Sequence, residues 1–477
     1  MTRLNGWKHA WLAFLMCVTV ASGLSAQTFT TLVNFDGANG AEPWYMSLVQ
    51  GPDGSFYGTT AYGGSENICG RPPVCGTIFK ITSDGVLATL HLVPADGSEP
   101  LGGLTLALNG NFYATAYQDG ANGGGTILEI TRTAKVTTLY SFCAQPNCTD
   151  GFGPQSALVE GADGSFYGTT PYGGADDSGV VFKITSKGAL TTLHSFDGTD
   201  GDGPFAGLVL GPDGNFYGTT YVGGANNDGT VFKISPWGAF TTLHNFDLAD
   251  GRYPFGALAL ATDGNFYGTT SQGGANGLGT VFKITPGGKL TTIYNFCPQP
   301  DCTDGNAPYG GLVQGTDGNF YGTTQRGGTS NEGTVFEVTT GGTLMTLHNF
   351  DSNDGAQPLG GLLQGTDGNF YGTTTLGGDF TCNLPNGCGA VFSLSTGLSP
   401  FVALVRSYGK VGQTGPILGQ GFTGTSNVMV NGIPASFTVI SDTYLRATVP
   451  VGATTGYVTV TTPGGTLTSN VPFHVIP

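Results

Sequence analysis

Short runs of β-branched and aromatic residues, bounded by Gly, Asp or Asn, recur along most of the chain. One copy contains four of them, at Gly207–Leu210, Phe216–Thr220, Thr230–Ile234 and Phe240–Phe246. Runs of this length and composition predict β-strands, and the repeated region has no helical periodicity. Each copy therefore predicts four short strands, which we name a, b, c and d in chain order.

The phrase Asp-Gly-x-Phe-Tyr-Gly-Thr-Thr marks strand b of the repeat. It begins at Asp53, Asp163, Asp213, Asp263, Asp317 and Asp367, and a divergent copy begins at Asn109. The copies follow one another about every 50 residues, and four strands at such a period are typical of β-propeller blades. The sequence therefore predicts an all-β fold with a seven-bladed β-propeller over residues 27–395.

The two ends of the repeated region predict how the ring closes. A strand-d run, Thr28–Phe35, precedes every strand a, whereas the last copy ends with strand c at Gly389–Leu394 and has no strand d after it. We expect the N-terminal strand to complete the last blade, because this pairing removes the open sheet edges.

Residues 401–477 follow a short linker at 396–400 and have a different pattern. Their runs alternate apolar and polar residues and are separated by turns at the spacing of about 8–12 residues that is typical of sandwiches. This pattern predicts a small immunoglobulin-like β-sandwich. The segment contains no cysteine, so we expect no disulfide between its sheets.

Residues 1–26 have the pattern of a signal peptide. Arg3 and Lys8 precede an apolar run that begins at Trp11, and small residues lead up to Ala26. The run is short for a membrane span. We therefore predict cleavage after Ala26, a secreted or cell-surface protein, and no transmembrane segment in the mature chain.

The chain is acidic, with 32 acidic and 16 basic side chains and a formal charge of −16. Nucleic acids and anionic lipids are bound through positive patches. The charge therefore disfavours both as partners.

Eight cysteines follow the predicted signal peptide and form four close pairs. They are Cys69/Cys75, Cys143/Cys148, Cys297/Cys302 and Cys382/Cys388. Export to an oxidising compartment favours disulfides, whereas a structural metal site would need four converging ligands. We expect four disulfides that brace loops, and no metal site at these cysteines.

In a propeller the a–b and c–d turns lie on one face, here named the short-turn face, and the b–c and d–a loops lie on the other, the long-loop face. The long loops of this chain vary between copies and contain all four cysteine pairs. Variable loops on a rigid scaffold are where binding sites usually lie. We expect any ligand to contact the long-loop face.

A mostly large residue follows the proline of each d–a loop, and four of these residues are aromatic. They are Trp44, Phe205, Phe255 and Tyr309. Two interpretations stay open: a collar that stacks a sugar or a peptide, or side chains that wedge between blades. The loop of Trp44 has one extra residue. Arg252 and Arg326 are further candidates as unrepeated loop residues, with a solvated surface as the alternative.

The d–a loops are rich in aspartate, as at Asp247 and Asp250. Carboxylates beside glycines suit calcium, but Asp and Gly also form turns, so calcium stays an open alternative and no other cofactor is predicted.

A histidine recurs at one strand-d position, which Tyr or Val fills in other copies, and this favours packing over metal ligation. The histidines are His91, His194, His244 and His348.

No sequence motif for catalysis is present: the chain has no Gly-x-Ser-x-Gly, no His-Glu-x-x-His and no glycine loop that opens a helix. Paired carboxylates from different blades near the axis stay open. The main hypothesis is a non-enzymatic binding or adhesion protein that contacts polysaccharide or a cell-surface protein. The alternative is a secreted carbohydrate-active lyase or hydrolase with an axial-pocket active site.

The repeat LVxGxDGNFYGTTxxGGxxxxGTVFKITxxGxxTTLHNF resembles the GloVer tandem repeat of "choice-of-anchor" exported bacterial proteins, over roughly residues 28–395. This resemblance implies export and brings no established activity. The tail, with GQGF at 419–422 and VNGIPASF from 430, resembles an IPT/TIG domain. That resemblance implies an immunoglobulin-like fold that serves as a spacer or an interaction module. No catalytic residue carries over from either family.

Overall fold

The structure, a computed structural model, describes residues 27–64, 75–92, 95–383 and 385–476. The predicted signal peptide, residues 1–26, lies outside the described residues. The described chain consists of short β-strands and one short 3-10 helix, Pro146–Cys148. Within the described ranges, no helix is long and apolar enough to cross a bilayer.

The strands of the repeated region are short. The first half comprises β1 (Thr28–Asn34), β2 (Val49–Gln50), β3 (Phe56–Thr60), β4 (Thr77–Ile81), β5 (Leu87–His91), β6 (Thr105–Leu106), β7 (Phe112–Ala116), β8 (Thr126–Ile130), β9 (Val136–Ser141), β10 (Val159–Glu160), β11 (Phe166–Thr170), β12 (Val180–Ile184) and β13 (Leu190–Ser195). The second half comprises β14 (Val209–Leu210), β15 (Phe216–Thr220), β16 (Thr230–Ile234), β17 (Phe240–Asn245), β18 (Ala259–Leu260), β19 (Phe266–Thr270), β20 (Thr280–Ile284), β21 (Leu290–Asn295), β22 (Val313–Gln314), β23 (Phe320–Thr324), β24 (Thr334–Val338), β25 (Leu344–Asn349), β26 (Leu363–Gln364), β27 (Phe370–Thr374) and β28 (Ala390–Ser395).

These strands form repeated four-stranded antiparallel sheets of propeller-like shape, each of which we call a blade. In the described residues, blades 1 to 6 are β2–β5, β6–β9, β10–β13, β14–β17, β18–β21 and β22–β25. Blade 7 has the order β26-β27-β28-β1, so the first strand of the chain pairs with the last strand of the repeat. The predicted order of strands a to d is therefore the observed order.

The glycine of each Phe-Tyr-Gly-Thr-Thr strand makes room for an aromatic side chain on strand c. Gly218 lies opposite Phe232, and a Cβ atom at Gly218 would lie 2.6 Å from Cζ of Phe232. Blade 2 differs at both positions: Ala114 replaces the glycine, and the residue opposite is Leu128, which is smaller than phenylalanine. The two positions vary together because they share one buried volume.

Neighbouring blades are joined by an aromatic pair that repeats from one blade to the next. The strand-b tyrosine of one blade packs on the strand-b phenylalanine of the next: Tyr57–Phe112, Tyr113–Phe166, Tyr167–Phe216, Tyr217–Phe266, Tyr267–Phe320, Tyr321–Phe370 and Tyr371–Phe56. Their ring centroids are 3.8 to 4.4 Å apart. The series returns from blade 7 to blade 1.

Strand d of blade 1 has a different register from strand d of the other blades. In blade 4 a β-bulge leaves Leu243 unpaired, and bulges interrupt strand d of blades 2, 3, 5, 6 and 7 in the same way. In β5 the pairing is continuous, and His91 takes the register position of Asn245. The prediction that His91 shares the position of His244 is wrong, because the missing bulge residue shifts the register by one.

The chain after the repeat forms two further sheets. Its strands are β29 (Ala403–Leu404), β30 (Tyr408–Gly409), β31 (Thr414–Leu418), β32 (Asn427–Val430), β33 (Ile433–Pro434), β34 (Phe437–Ser441), β35 (Tyr444–Thr448), β36 (Val458–Thr462), β37 (Gly465–Thr468) and β38 (His474–Val475). The sheet orders are β29-β31-β35-β34 and β33-β32-β36-β37, and β30 pairs in parallel with β38. Phe422, Val428, Leu445 and Val460 are fully buried in the core between the sheets.

This C-terminal part packs on the short-turn face. The hydroxyl of Thr443 donates to the carbonyl of Pro52 in an a–b turn at 2.8 Å, and the hydroxyl of Tyr408 donates to the carbonyl of Glu160 at 2.8 Å. Tyr444 is 5% exposed and joins the apolar core between blades 1 and 2. The long-loop face is therefore the opposite side of the molecule.

Candidate functional site

On the long-loop face, the residue before each d–a loop proline bonds to the neighbouring blade and fixes the turn of the loop. In blade 5, Tyr253 adopts φ 60°, donates its N–H to the carbonyl of Asp228 in blade 4, and accepts the N–H of Ser271. The same positive φ occurs at Glu42, Glu99, Gly153, Gly203, Ala307 and Gln357. The residue before a proline normally avoids helical φ/ψ values, so the bonds to the neighbouring blade hold this turn.

Aromatic side chains from different blades meet on this face. Phe255 of blade 5 stacks on Phe205 of blade 4 with ring centroids 5.1 Å apart, and Tyr309 of blade 6 meets Phe255 edge-on at 5.5 Å. Each of these side chains is half-buried. Three of the predicted collar residues are therefore brought together, and they pack on each other.

Tyr45 of blade 1 completes the group and was missed by the sequence analysis. Its ring lies 4.4 Å from that of Phe255 and 6.4 Å from that of Tyr309. The extra residue between Pro43 and Leu48 was the available signal, because Tyr45 adopts φ 47° there and reaches the distant blades. Burial raises the pKa of Tyr45 to about 12, and Tyr309 adds to the shift.

Trp44 lies at the edge of this group, which we name the aromatic cluster (Trp44, Tyr45, Phe205, Phe255 and Tyr309). Its indole is 6.0 Å from the ring of Tyr45 and packs edge-on against Tyr62 at 5.5 Å. Phe255 is at the centre, with four rings around it, so its faces serve packing. All five side chains of the cluster are half-buried, so each keeps part of its surface accessible.

Two carboxyl groups lie on the same face beside the cluster. Burial raises the pKa of Glu42. The hydrogen bond that Asn383 donates to its carboxylate at 3.1 Å lowers the pKa by less than burial raises it. Burial also raises the pKa of Glu99, and the carboxylate of Asp119 adds to the shift. Tyr62 lies near both, since its pKa is raised by burial and then by the charges of Glu99 and Glu42. Blades 1 and 2 thus contribute two carboxyls whose protonated form burial favours.

The two candidate arginines have different surroundings. Arg252 is held in place, because its Nε lies 3.2 Å from the Asp228 carboxylate and its guanidinium lies 3.9 Å from the centre of the Tyr253 ring. Arg326 is exposed, and its backbone pairs with Asn306 at the end of strand b. Arg326 is therefore the arginine more accessible to a ligand.

The loop aspartates accept hydrogen bonds from strand d. His194, His244 and His348 reach Asp200, Asp250 and Asp354 at 2.7 to 2.8 Å, and Tyr140 and Tyr294 reach Asp150 and Asp304 at 2.8 and 2.9 Å. Tyrosine replaces histidine there because both can bond to the same carboxylate. Among the described residues, no group of three or more His, Cys, Asp or Glu side chains is placed to hold a metal ion. Calcium stays a prediction.

Three of the predicted disulfides are confirmed, and each joins the ends of a short loop. They are Cys143–Cys148, Cys297–Cys302 and Cys382–Cys388. Cys75 is also disulfide-bonded, and its predicted partner Cys69 lies outside the described residues.

The sequence profile of the Gloeobacter/Verrucomicrobia repeat matches residues 18–160, 144–303 and 260–417. The chain belongs to the Gloeobacter/Verrucomicrobia repeat family. The three overlapping matches of this family together cover residues 18–417. No curated protein matches the chain in sequence.

Solved structures resemble this member of the Gloeobacter/Verrucomicrobia repeat family in fold. A fungal alcohol oxidase of the AA5 family, solved in complex with copper, is 13% identical with a TM-score of 0.53, over 93% of this chain and 98% of that chain. An auxiliary nutrient binding protein from Bacteroides ovatus is 13% identical with a TM-score of 0.42, over 77% of this chain and 76% of that chain. At this identity the first likeness concerns the fold alone, and the second, weaker likeness shows nothing about function.

Proposed function

We propose that this protein is an exported binding protein whose long-loop face contacts polysaccharide. The observation that carries the proposal is the aromatic cluster, in which half-buried rings from blades 1, 4, 5 and 6 meet. Aromatic rings stack on the apolar faces of sugars, and polar groups at their edges orient the ligand. The carboxyls of Glu42 and Glu99 beside the cluster would accept hydrogen bonds from sugar hydroxyls.

The scaffold that we infer for this site is a closed seven-bladed propeller over residues 27–395. The Tyr–Phe series that returns to blade 1 supports closure, as does the pairing of β1 with β28. The N–H of Glu42 also donates to the carbonyl of Cys388 across the same junction, at 2.9 Å. A closed ring would hold rings from opposite blades in fixed positions.

We infer that residues 401–477 are an IPT/TIG-like immunoglobulin-fold domain, joined by the linker 396–400. Two four-stranded sheets around one apolar core support this assignment. The domain lies on the short-turn face, which leaves the aromatic cluster uncovered by it. It would serve as a base from which the long-loop face points outward.

Export through the signal peptide 1–26 is part of the proposal. Three disulfides in short surface loops support an oxidising compartment, because thiols in the cytosol are kept reduced. A secreted or cell-surface location would bring the long-loop face into contact with polysaccharide.

A glycan array tests this function on the chain that begins at Gln27. We expect saturable binding to a defined set of glycans, with and without calcium, and a loss of that binding in a variant with Tyr45→Ala and Tyr309→Ala. Tyr457→Ala is the matched control, since Tyr457 is 45% exposed on the C-terminal part. Absence of binding to every glycan would overturn the polysaccharide proposal and leave a cell-surface protein as the partner to be sought.

A second candidate function is a carbohydrate-active lyase or hydrolase, and one observation favours it. Glu42 and Glu99 come from adjacent blades, and burial raises the pKa of each, which is how a carboxyl is kept protonated to serve as a general acid. Incubation with polysaccharides, followed by an assay for new reducing ends or unsaturated products, tests it. Product formation that disappears in Glu42→Gln and in Glu99→Gln would establish the enzyme; binding without product would exclude it.

A further inference from the structure

The most exposed aromatic side chain of the described residues lies far from the aromatic cluster. Trp237 is 81% exposed, in the c–d turn of blade 4 on the short-turn face. The turn itself is closed by the bond from Gly238 N–H to the carbonyl of Ser235, with Gly238 at φ 93°. Nothing in that bond requires an indole.

The same turn in the other blades confirms that the fold does not need this side chain. The equivalent residues are Asp84, Thr133, Lys187, Gly287 and Gly341. These residues have nothing in common except tolerance of a turn. A single exposed apolar side chain is ordinary, whereas a contiguous apolar surface marks a contact site, so the surroundings of Trp237 decide its meaning.

Trp237 lines a groove between the propeller-like part and the C-terminal part. The groove has a volume of about 620 Å³, with Pro236 and Pro212 on one wall and Tyr408, His474 and Ile476 on the other. Its two walls come from separate parts of the chain, so the groove exists only where the C-terminal part packs on the propeller-like part.

The polar groups of the groove decide which ligand fits. Asp213 and the ion pair between Lys183 and Asp163, at 2.6 Å, lie along the propeller wall, and Ser407 lies on the other. One ammonium and two carboxylates favour a neutral ligand with many hydroxyls over an anionic one. A flat indole face beside such groups suits the apolar face of a pyranose ring, whose hydroxyls point sideways.

We propose that Trp237 is the stacking platform of a second saccharide site, which takes the pyranose units of a neutral polysaccharide. The site lies on the face opposite to the aromatic cluster and does not depend on it. Cross-linking of two glycan chains rests in addition on the function proposed for the aromatic cluster, because it needs sites on both faces.

Tryptophan fluorescence separates the two sites. The chain that begins at Gln27 contains only Trp44 and Trp237. In Trp44→Phe all indole emission comes from Trp237, and in Trp237→Phe all of it comes from Trp44. Titration of each variant with neutral hexasaccharides of glucose, xylose, mannose and galactose then reports on one site at a time.

We expect at least one hexasaccharide to shift the emission of Trp44→Phe to the blue with saturation. In calorimetry of the same background, Trp237→Ala should weaken that binding about tenfold, the loss expected for one aromatic contact. His474→Ala should weaken it less. Lys187→Ala is the matched control, because Lys187 occupies the equivalent turn in blade 3, and it should leave the affinity unchanged.

A Trp44→Phe protein with native circular dichroism whose emission responds to none of the four sugars would overturn this site. A response confined to Trp237→Phe would also overturn it, while supporting the function proposed for the aromatic cluster. A response confined to Trp44→Phe would support this site and count against the cluster.

Discussion

The aspartate that opens the a–b turn, in every blade except blade 2, holds several groups at once. In blade 5, Asp263 accepts the N–H of Asn265 at 3.0 Å, the hydroxyl of Tyr267 at 3.0 Å and the ammonium of Lys283 at 2.7 Å. The tyrosine that donates to this carboxylate is the one that packs on the next blade. The repeated phrase therefore links turn chemistry to blade packing through a single carboxylate.

This arrangement predicts an acid-sensitive contribution to stability. Burial opposes ionisation of Asp263, but Lys283, Asn265 and Tyr267 outweigh it and lower its pKa from 3.8 to about 2. Because the pKa is lower in the folded state, the contribution is fully present above the unfolded pKa and is lost as the pH falls from about 4 to about 2. We expect Asp263→Asn to unfold at lower urea concentration than wild type at pH 5, with a gap that narrows towards pH 2.

The exposed Asp301 supplies the control for this titration, and Asp301→Asn should follow the wild-type curve. A gap between Asp263→Asn and wild type that stays constant from pH 5 to pH 2 would contradict the ionic explanation.

A second prediction at this scale concerns the shared volume of strands b and c. Gly218→Ala places a methyl group 2.6 Å from Cζ of Phe232, so we expect a loss of about 1–3 kcal/mol in the free energy of unfolding. Phe232→Leu in the same chain should restore part of it, because Ala114 and Leu128 form that pair in blade 2. A double-mutant cycle in urea measures the coupling; strictly additive losses would refute it.

At the scale of the strands, β1 links the first residues of the chain to its last blade. It pairs with β28, and Phe29 stacks on His348 at 3.6 Å and lies 5.3 Å from Phe392. The strand thus supplies both a hydrogen-bonded edge and a packing surface between blades 6 and 7. A chain without β1 leaves the outer edge of β28 unpaired, because the other edge pairs with β27.

Removal of residues 27–35 should therefore lower the melting temperature and cause concentration-dependent association. Differential scanning calorimetry and size-exclusion chromatography measure the two effects. A synthetic peptide of residues 27–35 should reverse both when added in excess, and a peptide of the same composition in scrambled order should not. A truncated chain that stays monomeric with the wild-type melting temperature would contradict the inferred closure.

At the scale of the whole molecule, the C-terminal part packs against the core between blade 2 and the divergent blade 1. Blade 1 lacks the strand-d bulge, whereas bulge residues such as Leu193 and Leu243 pack between the other blades. Leu418 and Tyr444 of the C-terminal part join the core between blades 1 and 2, against which Leu90 of strand d also packs. The blade whose strand d has the different register is therefore one of the two blades on which the C-terminal part packs.

Tyr444→Ala should accordingly destabilise the protein by about 3 kcal/mol, because a large buried side chain is removed from a core shared by two parts of the chain. Thermal unfolding measures the loss, and limited proteolysis near the linker 396–400 should become faster. Tyr457→Ala, on the exposed surface, is the control and should have little effect. Equal stability of the two variants would contradict a structural role for this contact.

The repeat itself was readable from the sequence, because its information is local. Turn-forming Asp-Gly pairs, a strand-b phrase with one glycine and cysteine pairs five or six residues apart each constrain a few neighbouring residues. These features predicted the four strands of each blade and the three confirmed disulfides. They also singled out the aromatic residues after the loop prolines as candidates for the long-loop face. The interchange of His and Tyr on strand d also favoured a packing role over metal ligation. The structure explains the interchange, because both side chains bond to the aspartate of the following loop.

Only the tertiary structure decided where distant loops meet. One extra residue lets Tyr45 reach Phe255 across the molecule, and one missing residue shifts His91 out of the position of the other strand-d histidines. The extra and the missing residue are visible in the sequence, but the packing of the blades decides which side chains they bring together. The neighbourhood of Glu42 and Glu99, and the groove of Trp237, likewise arise from contacts between parts of the chain that local patterns do not relate.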